Sequence, residues 1–70
     1  MKSRLRVLRA ERGWSQEHLS NTIGVSRQAI NAIETERHDP SLDLAYKIAA
    51  AFALSVEEVF PNPHEQGVLK

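Results

Sequence analysis

The chain contains no cysteine. No disulfide can staple it and no thiolate can hold a metal, which suits a reducing compartment. No apolar run is long enough to span a bilayer. The basic N-terminal residues are not followed by the apolar h-region of a signal peptide. A soluble cytoplasmic protein is therefore the simplest expectation. Repeats, low-complexity tracts and internal linkers are missing too. So are the alternating apolar–polar patterns of strands. There is no glycine-rich phosphate loop and no nucleophile placed beside a base. His18, His38 and His64 lie on different segments without ligand spacing, so neither a metal site nor a cofactor is expected. Glu57 and Glu58 are adjacent, hence on different faces of any helix. Nothing in the chain points to an enzyme.

Net charge is also absent, with nine basic residues against nine acidic. Nucleic-acid-binding domains are usually basic, so the sum argues against one. The distribution argues the other way. Residues 1 to 12 hold Lys2, Arg4, Arg6, Arg9 and Arg12 against Glu11 alone. Residues 41 to 70 hold Asp43, Glu57, Glu58 and Glu65 against Lys47 and Lys70. A dipolar domain can still turn one positive face toward phosphates.

What is present is helical periodicity. Seventy residues make one small domain with a modest core. Five segments carry the pattern, each opened by a serine able to cap it. The first starts after Ser3 and runs to about Arg12, stopped by Gly13. The second starts after Ser15 and runs to about Thr22, stopped by Gly24. The third starts after Ser26 and runs to about Thr35, and the fourth starts after Ser41 and runs to about Phe52. The fifth starts after Ser55, with Glu58 as the far side of a capping box, and stops at Pro61. The fold class is all-α. Residues 1–60 form the domain, and residues 61–70 form a polar tail or a short extended arm that could pair with residues 1 to 4.

The apolar positions share faces: Leu5 with Leu8, Leu19 with Ile23, and Ile30 with Ile33. Leu44, Ala45, Ile48, Ala49 and Phe52 make a stripe on the fourth helix. Val56, Val59 and Phe60 make one on the fifth. These pool into one core with Val25 and with Trp14, read as filler at a helix junction. Arg9 comes directly after Leu8 and so points toward the core stripe. There it either snorkels to solvent or meets a carboxylate, and Glu34, beside the apolar face of the third helix, is the candidate.

The segment QEHLSNTIGVSRQAINAIET, residues 16 to 35, has a distinct logic. Ser20 is small where two helices must approach closely. Gly24 stands where a tight turn needs a left-handed residue. Two short helices joined through such a turn form a helix-turn-helix. At about 100° per residue, Ala29, Ile30 and Ile33 of the third helix cluster on one side. Arg27, Gln28, Asn31 and Thr35 cluster on the other. Any surface helix is polar outside. This face, however, lacks the usual lysine and glutamate, and its arginine and amides match the bidentate edges of guanine and adenine in a major groove.

The stretches LRAERGWSQEHL, IGVSRQAINAIE, DPSLDLAYKIAAAF and SVEEVF resemble the Cro/repressor-type helix-turn-helix family, the xenobiotic response element (XRE) family. The resemblance covers about residues 3 to 60. It implies a five-helix lambda repressor-like domain with the helix-turn-helix at helices 2 and 3. It also implies a regulator that binds a palindromic operator as a homodimer. By that likeness Arg27, Gln28 and Asn31 reach base edges. Gln16, Ser26, Thr35, Arg37 and His38 lie at phosphates, and Arg9 pairs with Glu34. Glu36 departs from the pattern, standing where glycine often ends the third helix. A self-complementary patch is expected on the fifth helix, at Val56, Val59 and Phe60, away from the reading face. The alternative is an antitoxin-like or other protein-interaction module on the same fold. No small-molecule effector or membrane partner is evident, and a DNA-bound protein of this kind would be nucleoid-associated.

Overall fold

The structure is a computed structural model and describes residues 1–64. Its helices are α1 (Leu5–Arg12), α2 (Gln16–Ile23), α3 (Arg27–Glu34), α4 (Leu42–Ala51) and α5 (Val56–Val59). Four of the five serines cap as their positions predict. The hydroxyls of Ser15, Ser26, Ser41 and Ser55 accept from the amides of His18, Ala29, Leu44 and Glu58, three residues on. Glu58 closes the box by accepting the Ser55 amide at 2.9 Å. Ser3 is the exception. The cap position of α1 is Arg4, which makes no side-chain cap, and Ser3 Oγ accepts from Leu5 instead. The Arg4 amide donates to the Val59 carbonyl at 2.8 Å, which draws the entry of α1 onto α5. Among the described residues, those before α1 contact α5 and also Glu36 and Asp39. Residues 65–70 of the expected tail lie outside the described residues.

The exits of α1, α2, α3 and α4 share one device. A residue in the left-handed region stands after the helix, and the next amide reaches back to a carbonyl five residues earlier: Trp14 to Arg9, Val25 to Ser20, Arg37 to Ala32, Leu54 to Ala49. Glycine takes the left-handed position after α1, and also after α2, where φ is 87° at Gly24. Glu36 (φ 62°) and Ala53 (φ 58°) take it after α3 and α4. Both hold a conformation that side chains bearing a Cβ disfavour.

All five helices contribute to one core. Leu5, Leu19, Ile30, Ile48, Phe52 and Val59 are fully buried, with Leu8, Ile33, Ala45, Ala49 and Phe60 nearly so. Each large side chain among them contributes on the order of 1.5–3 kcal/mol by leaving water. Trp14 lies 4.9 Å from Phe52, ring to ring, and the Arg12 guanidinium covers both rings. Arg12 also donates to the Phe52 carbonyl at 2.8 Å, capping the end of α4. The burial of Val59 and Phe60 corrects one expectation. These side chains do not exceed what α5 can bury in its own domain; α5 packs on α4 and on the entry of α1, and that contact consumes them. Val56 is packed partly against the same core. Among the described residues no helix is long and apolar enough to cross a membrane.

Candidate nucleic-acid interface

Helices α2 and α3 meet through Gly24, Val25 and Ser26. Ser20 is 3 % exposed, at the α2 position from which the turn is pinned. Its carbonyl accepts the amides of Gly24 (2.8 Å) and Val25 (3.0 Å). Its hydroxyl donates to the Glu17 carbonyl at 2.9 Å, so the buried oxygen is satisfied. Val25 and Ile23 pack on the core from either side of the glycine.

On α3 the apolar face is fixed by Ile30 and Ile33. Rotation about the axis then leaves Arg27 and Gln28 exposed and Asn31 half-buried. Among the described residues, none of these three side chains makes a hydrogen bond within the chain, so their donors and acceptors remain unspent. Ser26 is exposed; its oxygen accepts the Ala29 amide at 3.1 Å, while its own proton meets no acceptor among the described residues.

The loop after α3 behaves differently. Thr35 donates its hydroxyl back to the Asn31 carbonyl at 2.9 Å and accepts from Arg37 Nε at 3.1 Å. The hydroxyl proton is therefore committed, and Thr35 acts on Arg37 by orienting it. Arg37 and His38 are exposed. The two acids of the loop are tied to the N-terminal residues. Glu36 accepts the Ser3 amide at 3.1 Å, and Asp39 pairs with the terminal ammonium at 3.0 Å.

Beneath this surface lies a buried polar junction. Arg9 donates Nε to Glu34 Oε2 at 2.7 Å, Nη2 to Oε1 at 3.2 Å, and Nη1 to the Trp14 carbonyl at 2.7 Å. Gln16, first residue of α2, donates Nε2 to Glu34 Oε1 at 3.0 Å. The Glu34 side chain is 1 % exposed. Burial by itself pushes its carboxyl up, but the hydrogen bonds from Arg9 and Gln16 and the charges of Arg9 and Arg6 outweigh burial and hold it below the usual carboxylate range. The hydrogen bond to Glu34 in turn raises Arg9 against its partial desolvation.

This junction also revises the charge reading. Of the five basic residues at the front of the chain, Arg9 and Arg12 are committed inward. Arg4 makes a long contact with the Glu58 carbonyl. The Gln16–Glu34 contact had no signal in the sequence pattern, because periodicity reports faces and not the crossing of two helices. Among the described residues no group of three or more His, Asp or Glu is placed to hold a metal ion.

The helix-turn-helix family profile matches residues 5–59. Over 60 residues the chain is 50 % identical to the HTH-type transcriptional regulator YgzD of Bacillus subtilis, covering 86 % of this chain and 91 % of that one. It is 48 % identical over 60 residues to an HTH-type transcriptional regulator of Methanocaldococcus jannaschii, with the same two shares. Among solved structures it is similar to the hypothetical transcription factor NHTF from Neisseria. There the TM-score is 0.75 at 32 % identity, over 94 % of this chain and 76 % of that one. It is also similar to a chain of the SinR protein/SinI protein complex, with TM-score 0.77 at 28 % identity, over 90 % of this chain and 62 % of that one. With its all-α, five-helix lambda repressor-like fold, the chain belongs to the XRE-type helix-turn-helix family of DNA-binding transcriptional regulators.

Proposed function

We propose that the chain is a sequence-specific regulator that lays α3 in the major groove and binds a palindromic operator as a homodimer, acting as a repressor or autoregulator. The observation that carries this reading is the state of Arg27, Gln28 and Asn31. They stand on the first turns of a capped helix, opposite its buried face, with no side-chain hydrogen bonds spent among the described residues. Arginine bonds bidentately to guanine and the amides to adenine. Ser26, Arg37, His38 and the Gln16 end of α2 flank them as phosphate contacts, with Thr35 holding Arg37.

One reading helix spans too few base pairs to select a site in a genome, and a second copy on a two-fold axis doubles the site. With Val59 and Phe60 buried, the surface that suits a second copy is the outer face of α4. Leu42 (67 % exposed) and Tyr46 (60 % exposed) form an apolar pair one helical turn apart. Asp43 and Lys47 flank them, 3.5 Å apart. In an antiparallel pairing of α4 with its copy, each Asp43 stands opposite a Lys47, so the face complements itself in charge as in shape.

A second reading, a protein-interaction module, draws support from the same apolar pair and from the similarity to SinR, a protein solved in complex with SinI. Selection of bound sites from random duplex DNA separates the two. A palindromic consensus supports the regulator; recovery of no enriched sequence overturns it in favour of the module.

A further inference from the structure

We infer that Glu34 is a positioning residue for DNA binding: its buried carboxylate, held by Arg9, aims the amide of Gln16 at a phosphate. This rests on the DNA-binding reading above.

Gln16 opens α2, and the first helix of a helix-turn-helix crosses the DNA backbone. The helix end there carries partial positive charge and favours an anion. A glutamine in that place is ambiguous. Its amide presents two N–H donors at one end and a carbonyl acceptor at the other, and rotation about the last bond exchanges them. A phosphate needs the donor.

The ionised Glu34 carboxylate accepts only. Its Oε1, 3.0 Å from Gln16 Nε2, selects the rotamer that turns the nitrogen inward to Glu34. One N–H is spent there, and the second N–H of the same nitrogen remains for a phosphate oxygen. Gln16 is half-buried, so packing and hydrogen bond together restrict it. Ordering this side chain thus occurs on folding and not on binding, which is how preorganisation raises affinity. Arg9 supplies the other half of the device. By donating to both carboxylate oxygens and to the Trp14 carbonyl, it fixes Glu34 relative to the loop from which α2 starts.

The test uses the duplex recovered by selection from random DNA. Its dissociation constant is measured for wild type, for Gln16→Ala, for the pair Arg9→Met with Glu34→Leu, and for all three changes together. Replacing both charges by apolar residues keeps the fold where breaking one alone endangers it. Gln16→Ala is expected to weaken binding about 10- to 100-fold in wild type, as loss of a hydrogen bond to a charged group does. In the apolar-pair background the same change is expected to shift binding by less than about 2-fold, since the amide there is already unaimed. An equal loss in both backgrounds overturns the positioning role while leaving the DNA reading intact. Failure to recover any duplex removes both. A measurement on unmodified protein stands apart from these variants: the two side-chain amide protons of Gln16 are expected to give widely separated, slowly exchanging NMR signals without DNA. Signals at free-glutamine positions overturn the proposal directly.

Discussion

Arg9 and Glu34 meet as a forked pair, with Arg9 Nε 2.7 Å from one carboxylate oxygen and Nη2 3.2 Å from the other. The Arg9 side chain is 17 % exposed and that of Glu34 1 %. At this burial the attraction is weakly screened, and the cost of leaving either charge alone is high. Arg9→Ala is therefore expected to destabilise the fold by about 3 kcal/mol or more, by stranding Glu34. Denaturant unfolding followed by far-UV circular dichroism measures it. A loss well under 1 kcal/mol would mean that the pair contributes little and that Arg9 serves mainly as packing.

The same pair sets an acid limit. Glu34 is held below the usual carboxylate range in the folded chain, so the unfolded chain binds its proton more readily. Its contribution is fully present above the unfolded value of about 4.3 and is lost as pH falls through the lower folded value. Glu58 shifts in the same direction, through the Ser55 amide and hydroxyl, but at an exposed site. Stability measured from pH 7 down to pH 2 should fall most steeply below about pH 4.3, and Glu34→Gln should flatten that limb. An unchanged slope in Glu34→Gln would assign the acid limit to other carboxylates.

The helices and the turn between α2 and α3 were legible because they are local. Ser15, Ser26, Ser41 and Ser55 each cap the helix that starts after them, and Gly13 and Gly24 end α1 and α2. The polar side of α3 could be read from the spacing of Ile30 and Ile33 alone. Three features were not legible, each for a non-local reason. Ser3 loses the cap because the Arg4 amide is drawn to Val59, 55 residues on. Val59 and Phe60 are consumed by the domain's own core, which no pattern within a four-residue helix can announce. The Gln16–Glu34 bond depends on how α2 crosses α3.

Glu36 carries strain that glycine would relieve. At φ 62° its Cβ crowds the backbone, while its carboxylate accepts the Ser3 amide at 3.1 Å. Glu36→Gly is expected to be more stable than Glu36→Ala by about 1 kcal/mol, since both lose the bond from the Ser3 amide and only alanine keeps the strain. It should also tighten DNA binding, by removing a negative charge from the loop beside Arg37 and His38. Paired thermal melts decide the first point; equal stability of the two variants would show that the turn is unstrained.

The proposed dimer face on α4 makes a separate demand. Tyr46 is 60 % exposed and its side chain makes no hydrogen bond among the described residues, so Tyr46→Glu should leave the helical signal and the melting temperature nearly unchanged. It should shift sedimentation at micromolar concentration from dimer to monomer, and weaken binding to a full palindrome far more than to a half-site. Phe60→Glu, by contrast, should unfold the chain, because Phe60 is 4 % exposed. A wild-type protein that sediments as a monomer and still binds its operator tightly as one copy would remove the dimer.

The central claim is that α3 reads bases, and a panel of single-base variants of the selected operator tests it most directly. Binding of wild type, Arg27→Ala and Gln28→Ala is measured on every variant at one fixed salt concentration. Each substitution is expected to cost about 1–3 kcal/mol and to abolish discrimination at one position per half-site, leaving the other positions as selective as before. If either substitution weakens binding to every variant by the same factor, that side chain is a phosphate anchor and α3 does not read the sequence through it.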